Sequence, residues 1–283
     1  MNNDINYEPS LAARLAKILI PLMQKVLPSP WYKTAYNFLY TSYKWFLRKS
    51  YIFRIIGAYI HGNKEKKIRS MLTWRLLQYT MGGRKALENA FDIISLIERN
   101  QIPGVIIECG VAEGGTAAML ALANEKLGKN NREKWFFDSY EGLPEPTEED
   151  YINGKAGGFV RPLPKGSCLG TFEQVSDLMY NTLNMSKDEV HLIKGWFQDT
   201  VPNNKDKVGD AIAVLRLDGD WYESTKIPLE NFHEKLGKGS IIIIDDYGTC
   251  YGAERATNEF RNEHNITTPL NSDGRGGVWF EMP

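Results

Sequence analysis

The sequence predicts an α/β protein in which a doubly wound sheet follows a mainly helical N-terminal extension. From about residue 85, short apolar runs alternate with helical stretches, a pattern typical of a parallel sheet. These runs are almost continuously apolar, as strands covered on both faces require. Before residue 70, apolar positions instead recur at helical spacing among basic residues.

The length of 283 residues suits one main domain with an appended segment, so we divide the chain into an extension, 1–70, and a domain, 71–283. A hydrophobic content of 42% with 24% charged residues argues against a disordered or low-complexity chain. The three cysteines form no CxxC pair, which favours a reducing, cytoplasmic location. We expect neither a signal peptide nor a membrane-spanning segment.

The extension carries twelve Lys and Arg against three acidic residues, whereas the rest of the chain has a net charge of −10. Residues 11–26 predict an amphipathic helix, and residues 31–60 are rich in aromatic and basic side chains. Such a segment could contact the inner face of a membrane through residues 1–60, or pack on the domain or on a second subunit. We favour packing or homo-oligomerisation, and we expect no nucleic-acid partner.

The domain is predicted to contain six strands, each a short apolar run. They cover residues 104–109, 134–138, 190–194, 211–217, 240–244 and 278–281. Residues 150–168 are rich in Gly, Pro and Lys and predict a long loop, of the kind that often serves as a lid. The resulting sheet is Rossmann-like, and its ligand should bind at the carboxyl ends of the strands.

A glycine-rich turn follows the first strand, with Gly110 four residues before Gly114-Gly115 and with Glu108 preceding it. The spacing differs from the Gly-x-Gly-x-x-Gly that supports a pyrophosphate. S-adenosylmethionine (SAM) has an ammonium group and no phosphate, so a carboxylate here suits it. Asp138 ends the second strand, where an acidic residue can bind ribose hydroxyls. The alternatives are a merely tight connection and a capping aspartate.

Three aspartates follow the next two strands, Asp218 after one and the pair Asp245-Asp246 after the other. Parallel strands end at one edge of a sheet, so these carboxylates should converge there. Their mutual repulsion favours a divalent cation between them, and Mg²⁺ is the usual choice for an incomplete carboxylate shell. The alternative for any single aspartate is a helix cap.

Together, six ordered motifs resemble the macrocin O-methyltransferase (TylF-like) family over roughly residues 75–283. They are Thr80-Met81, Glu108-Cys109-Gly110-Val111 with Gly114-Gly115, Asp138 to Pro144 (DSYEGLP), Gly195 to Pro202 (GWFQDTVP), Leu217 to Thr225 (LDGDWYEST) and Asp245-Asp246-Tyr247.

The resemblance implies a SAM-dependent methyltransferase fold and a SAM- and Mg²⁺-dependent O-methyltransferase that acts on sugar hydroxyls. It implies that the metal ligands are Asp218, Asp245 and Asp246, and Asp218 is also the candidate general base. The residues expected to contact the cofactor are Thr80, Met81, Glu108, Gly110, Thr116, Asp138, Ser139, Gly195 and Trp196.

The expected acceptor is a small molecule or glycan with two neighbouring hydroxyls that reach the metal. A catechol-type O-methyltransferase would use the same metal on an aromatic diol and is the nearest alternative. A NAD-dependent dehydrogenase is disfavoured by the glycine spacing. A non-catalytic scaffold has support only from the extension.

Overall fold

The computed structural model describes residues 11–129, 131–152, 155–156 and 165–283. The helices are α1 Leu11–Val26, α2 Ser29–Ser50, α3 Ile52–His61, α4 Lys64–Leu76, α5 Gly83–Arg99, α6 Gly115–Leu127, α7 Phe172–Ser176, α8 Phe197–Asn204, α9 Tyr222–Phe232 and α10 Tyr251–Glu263. The strands are β1 Val105–Cys109, β2 Lys134–Asp138, β3 Tyr151–Ile152, β4 Lys155–Ala156, β5 Val190–Lys194, β6 Ile212–Leu217, β7 Ile241–Ile244, β8 Asn271–Ser272 and β9 Val278–Glu281.

Seven of these strands form one sheet in the order β5-β2-β1-β6-β7-β9-β8. The first five in that order are parallel, whereas β9 runs antiparallel to both β7 and β8. The chain order reverses between β1 and β6, where doubly wound sheets bind their ligands. The predicted fold class is therefore confirmed.

The six predicted strands are all present, within one residue of their predicted ends. The sequence did not indicate β8 or the hairpin of β3 and β4, because two-residue strands carry no measurable periodicity. That hairpin lies in the predicted loop 150–168, and residues 153–154 and 157–164 of the loop lie outside the described part of the chain.

The core lies on both faces of the sheet. Successive residues of a strand point to opposite faces, so Ile106 packs in the cluster with α4, α5 and α6, and Ile107 packs in the cluster with α9 and α10. All six residues of β6 are buried. Continuous apolar strands are the expected consequence of this double cover.

Side chains of α2 and of Tyr51, which follows it, contact the domain. Tyr51, between α2 and α3, is buried and donates a hydrogen bond from its hydroxyl to Glu88 Oε1 at 2.8 Å. The boundary predicted at residue 70 falls inside α4, which buries Leu72 and Leu76. The division into extension and domain stays a prediction. Among the described helices, none combines the length and apolar character needed to cross a bilayer.

Candidate active site

A glycine-rich turn leads from the end of β1 into α6. Gly110 and Gly114 have φ of 95° and 87°, a backbone conformation that glycine adopts without strain. A Cβ built on Gly110 would lie 1.9 Å from the carbonyl oxygen of Asp218, so this glycine also lets β1 and β6 end side by side. The turn therefore exposes backbone rather than side chains at the point where the strand order reverses.

Asp138, at the end of β2, holds this turn in place. Its Oδ2 accepts hydrogen bonds from the N–H of Val111 at 2.7 Å and of Ala112 at 2.9 Å, and its Oδ1 accepts one from the N–H of Tyr140 at 2.6 Å. Burial raises the pKa of Asp138 although these three bonds oppose the rise. A carboxylate has about four acceptor positions, so Asp138 can shape the turn and still accept a ligand's hydroxyl.

Three aspartates at the ends of β6 and β7 share one space. One carboxylate oxygen from each of Asp218, Asp245 and Asp246 lies within 4.8 Å of the others. The two strands are parallel neighbours, with Leu217 opposite Ile244, so the residues that follow them meet at one edge.

Arg216, the side chain on β6 that precedes this cluster, is 2% exposed and carries a buried positive charge. Its guanidinium donates to Glu108 Oε1 at 2.6 Å, to Asp218 Oδ2 at 2.8 Å and to Asp245 Oδ1 at 2.5 Å. Glu108 and Arg216 stand opposite each other on the paired strands β1 and β6. One arginine therefore links the end of β1 to the ends of β6 and β7.

Arg275, in the loop between β8 and β9, is the second cation of the cluster. Its Nη1 lies 2.5 Å from Asp245 Oδ2 and 3.7 Å from Asp273 Oδ2. Burial raises the pKa of Asp245, but Arg275 and Arg216 outweigh it and lower that pKa to about 2. Asp245 is therefore held as a carboxylate by two arginines.

The remaining carboxylates are not neutralised in this way. Burial, followed by Asp218 and Asp245, raises the pKa of Asp220 to about 7. Burial, followed by the same kind of repulsion from Asp220, Asp245 and Asp218, also raises the pKa of Asp246. The ionised forms of these carboxylates therefore repel one another, and a cation between them would relieve that repulsion.

Asp246 offers a free ligand atom for such a cation. Its Oδ1 accepts a hydrogen bond from the Thr249 hydroxyl at 3.1 Å. Its Oδ2 is buried and has no hydrogen-bond partner among the residues that the structure describes. Oxygen ligands, carboxylates that repel one another and an unpartnered carboxylate oxygen together fit Mg²⁺.

The cluster and the glycine-rich turn line a single cavity of about 570 Å³, a size ordinary for a small-molecule site. Eight of the residues predicted for the site line it. They are Met81, Gly110, Asp138, Ser139, Trp196, Asp218, Asp245 and Asp246. Backbone at the turn and an acidic residue beside it fit a nucleoside such as that of SAM.

Four predicted cofactor residues lie outside the cavity lining. Glu108 and Thr116 are buried behind it, Glu108 with no exposed surface at all. Thr80 is buried, and its Oγ1 accepts a hydrogen bond from the N–H of Gly82 at 3.1 Å. Gly195 donates its N–H to the carbonyl of Asp138 at 2.9 Å. These four support the cavity wall in this structure.

Sequence reasoning missed the two arginines. Arg216 had a signal, because a charge within a strand buried on both faces needs a buried opposite charge, and Glu108 is such a charge on the first strand. Arg275 had no such signal, since nothing in the sequence of the loop between β8 and β9 relates it to Asp245.

Comparison with known proteins shows which family the chain resembles. The model of the family Macrocin-O-methyltransferase (TylF) matches residues 19–282, and so begins inside the segment that the sequence analysis set apart as an extension. Demethyldecarbamoylnovobiocin O-methyltransferase of Streptomyces niveus is 31% identical over 208 residues, 74% of this chain and 77% of that protein. Mycinamicin III 3''-O-methyltransferase of Micromonospora griseorubida is 29% identical over 212 residues, 71% of this chain and 78% of that protein.

Solved structures of O-methyltransferases also superpose on this chain. The O-methyltransferase NovP superposes with a TM-score of 0.61 at 29% identity, over 72% of this chain and 81% of that one. The calicheamicin methyltransferase CalS11 superposes with a TM-score of 0.56 at 20% identity, over 78% and 94%, which supports the fold alone. The resemblance seen in the motifs is thus confirmed: the chain belongs to the macrocin O-methyltransferase (TylF) family and is a SAM-dependent O-methyltransferase.

Proposed function

We propose that the enzyme methylates a hydroxyl of a sugar or of a glycosylated natural product, and that it does so with Mg²⁺. Relatives named for sugar-bearing antibiotics support the acceptor class. The observation that carries the proposal is the position of Asp218, Asp245 and Asp246 in the same cavity as the glycine-rich turn. This juxtaposition lets one cavity take both a methyl donor and a hydroxyl-bearing acceptor.

In this proposal Asp218, Asp245 and Asp246 hold the metal. Bound Mg²⁺ supplies positive charge that favours loss of a proton from an acceptor hydroxyl. Arg216 holds Asp218 and Asp245 in position from behind through its paired hydrogen bonds. Asp218 and Asp245 are therefore held beside each other before a cation binds, and such preorganisation lowers the cost of assembling the site.

The glycine-rich turn and Asp138 bind the cofactor, and SAM supplies an electrophilic methyl group. The acceptor oxygen forms a bond to the methyl carbon as the carbon–sulfur bond breaks, and the products are a methyl ether and S-adenosylhomocysteine. We assign the departing proton to Asp218, which lines the cavity. The protein's contribution is position and charge, with no covalent intermediate.

Family membership excludes some of the alternative functions and leaves one open. It removes the dehydrogenase and the scaffold, because family and relatives are O-methyltransferases. A catechol-type acceptor is a rival that the acceptor assay decides. The predicted homo-oligomer, the cytoplasmic location and the absence of a nucleic-acid partner stay predictions.

The test is methyl transfer from radiolabelled SAM to a panel of sugar nucleotides, glycosides and catechols. We expect a product with at least one sugar, loss of activity with EDTA and recovery with Mg²⁺. Asp245→Asn should abolish the transfer, whereas Asp206→Asn, at an exposed position after α8, should leave it unchanged. Methylation of catechols alone, or activity unaffected by EDTA, would contradict the proposal.

A further inference from the structure

The outward face of α1, α2 and α3 exposes large apolar side chains. Phe53 is 78% exposed, and Trp31 and Phe38 are each 71% exposed. Further exposed members are Leu15, Ile18, Leu19, Leu22, Val26, Leu39, Trp45, Phe46, Ile56, Tyr59 and Ile60. Exposed apolar side chains in this number are typical of a binding face. We call it the outer face.

The side chains of the outer face follow the period of a helix. Leu39, Phe46, Phe53 and Ile60 stand seven residues apart, so they lie on one side of α2 and α3. Tyr51, which joins the two helices, has φ of −69° and ψ of −18°, a helical backbone conformation that keeps them in register. The result is one apolar stripe along both helices.

The opposite side of α2 is fixed to the domain, which sets the orientation of this stripe. Lys44 forms an ion pair with Glu113 in the glycine-rich turn and donates to the carbonyl of Gln78 at 3.2 Å. Arg48 donates to Gln78 Oε1 at 3.0 Å. Polar contacts of α2 therefore face the domain, whereas Phe38 and Trp45 are exposed on its other side.

The charge around the outer face has one sign. Between Glu8 and Glu65 the sequence contains nine Lys and Arg and no Asp or Glu. Lys49, Arg54 and Lys64 are exposed beside the apolar stripe. A second copy would bring the same positive charges against these and offers no carboxylate from its own outer face, so charge complementarity favours an anionic surface over self-association.

We propose that the outer face binds the surface of an anionic lipid bilayer. Aromatic and aliphatic side chains at helical spacing would enter the boundary between headgroups and acyl chains, and the lysines and arginines beside them would contact anionic headgroups. The helices would lie in the plane of the surface, because none of those described is suited to spanning it. This inference does not depend on the acceptor or the metal.

The experiment measures sedimentation of the full chain with vesicles of phosphatidylcholine, with and without phosphatidylglycerol. We expect binding only with phosphatidylglycerol and release by 0.5 M NaCl, because salt at this concentration shortens the Debye length to about 4 Å. Phe38→Ser with Phe53→Ser should weaken binding at least tenfold, and Lys49→Glu with Arg54→Glu should weaken it as much.

Matched controls lie outside the outer face. Tyr151→Ser with Ile152→Ser removes exposed apolar side chains elsewhere, and Lys187→Glu with Lys238→Glu reverses exposed charges elsewhere. Both should bind vesicles as the unmodified chain does. Retained SAM binding and circular dichroism establish that every variant is folded.

A measurement without these substitutions gives an independent answer. Brominated phosphatidylglycerol should quench the fluorescence of Trp31 and Trp45, and the quenching should disappear in Trp31→Phe with Trp45→Phe. Absence of both sedimentation and quenching would overturn the proposal. So would an assembly, detected by sedimentation velocity, that Phe38→Ser with Phe53→Ser dissociates while vesicle binding is unchanged, since the outer face would then bind a second copy.

Discussion

The carboxyl edge of the sheet and the outer face of α1 to α3 are two opposite kinds of surface. At the sheet edge, charges are buried and answered by charges from the same chain, as Arg216 answers Glu108, Asp218 and Asp245. On the outer face, apolar side chains are exposed, and no described segment of this chain covers them. The sheet edge therefore pairs most of its charges within the chain and leaves an oxygen of Asp246 for a cation, whereas the outer face leaves its apolar side chains for a partner.

The largest loss of folding free energy should come from removing Arg216, whose positive charge pairs with the buried carboxylates. Arg216→Met removes the guanidinium and leaves three carboxylates beside one another in a buried space. Loss of one partner of a buried ion pair costs about 3–5 kcal/mol of folding free energy. Urea unfolding should report a loss of that size, whereas Arg255→Met, which breaks an exposed pair with Glu259, should change stability little. Equal losses of folding free energy in the two variants would contradict the role of Arg216 as the buried counter-charge of these carboxylates.

A smaller effect should follow from loosening the glycine-rich turn. Asp138→Asn keeps one acceptor oxygen where the carboxylate has two, so at least one of three backbone N–H groups loses its partner. An unsatisfied buried donor costs about 1–3 kcal/mol. Calorimetry should show weaker SAM binding, by about tenfold, because the turn is no longer held in one conformation. Asp177→Asn, at the end of α7, serves as the control. Unchanged SAM affinity would show that Asp138 does not shape the cofactor site.

The third effect tests whether the internal cations compete with an external one. Arg275→Gln removes a positive charge 2.5 Å from Asp245, so a divalent cation should bind more tightly. We expect an increase of about three- to tenfold for Mn²⁺ measured by calorimetry, as one charge near a partly screened site provides. Weaker binding would instead mean that Arg275 holds Asp245 in its ligating position.

The smallest effect is expected on the outer face. Exposed substitutions change folding free energy by about 0.5 kcal/mol or less, so Phe38→Ser with Phe53→Ser should unfold in urea almost as the unmodified chain does. Phe136→Ala, in the buried centre of β2, should cost about 3–5 kcal/mol by comparison. A large loss in the exposed variant would mean that the outer face packs within the chain.

The sequence contains most of the information needed for the sheet. Buried strands are recognisable as apolar runs, and parallel strands share an edge, so the meeting of Asp218 with Asp245 and Asp246 could be predicted without coordinates. Arg216 was recognisable as an anomaly in an apolar strand, but its partner depends on the register that sets it opposite Glu108.

Other features depend on tertiary contacts that no local pattern encodes. The position of Arg275 is set by the loop between β8 and β9. The sequence predicted an amphipathic helix over residues 11–26 and an aromatic, basic stretch over residues 31–60, but which side of α2 faces outward is decided by Lys44 and Arg48. The partners of these two residues lie in the glycine-rich turn and after α4.

Direct binding of a divalent cation tests the central claim most closely. Electron paramagnetic resonance of Mn²⁺ with the purified chain should give one bound ion per chain, displaced by Mg²⁺. Asp246→Asn, which alters the unpartnered ligand atom, should weaken binding at least tenfold, whereas Asp206→Asn should not. Absence of bound Mn²⁺, or binding that Asp246→Asn leaves unchanged, would contradict the assignment of these aspartates to the metal.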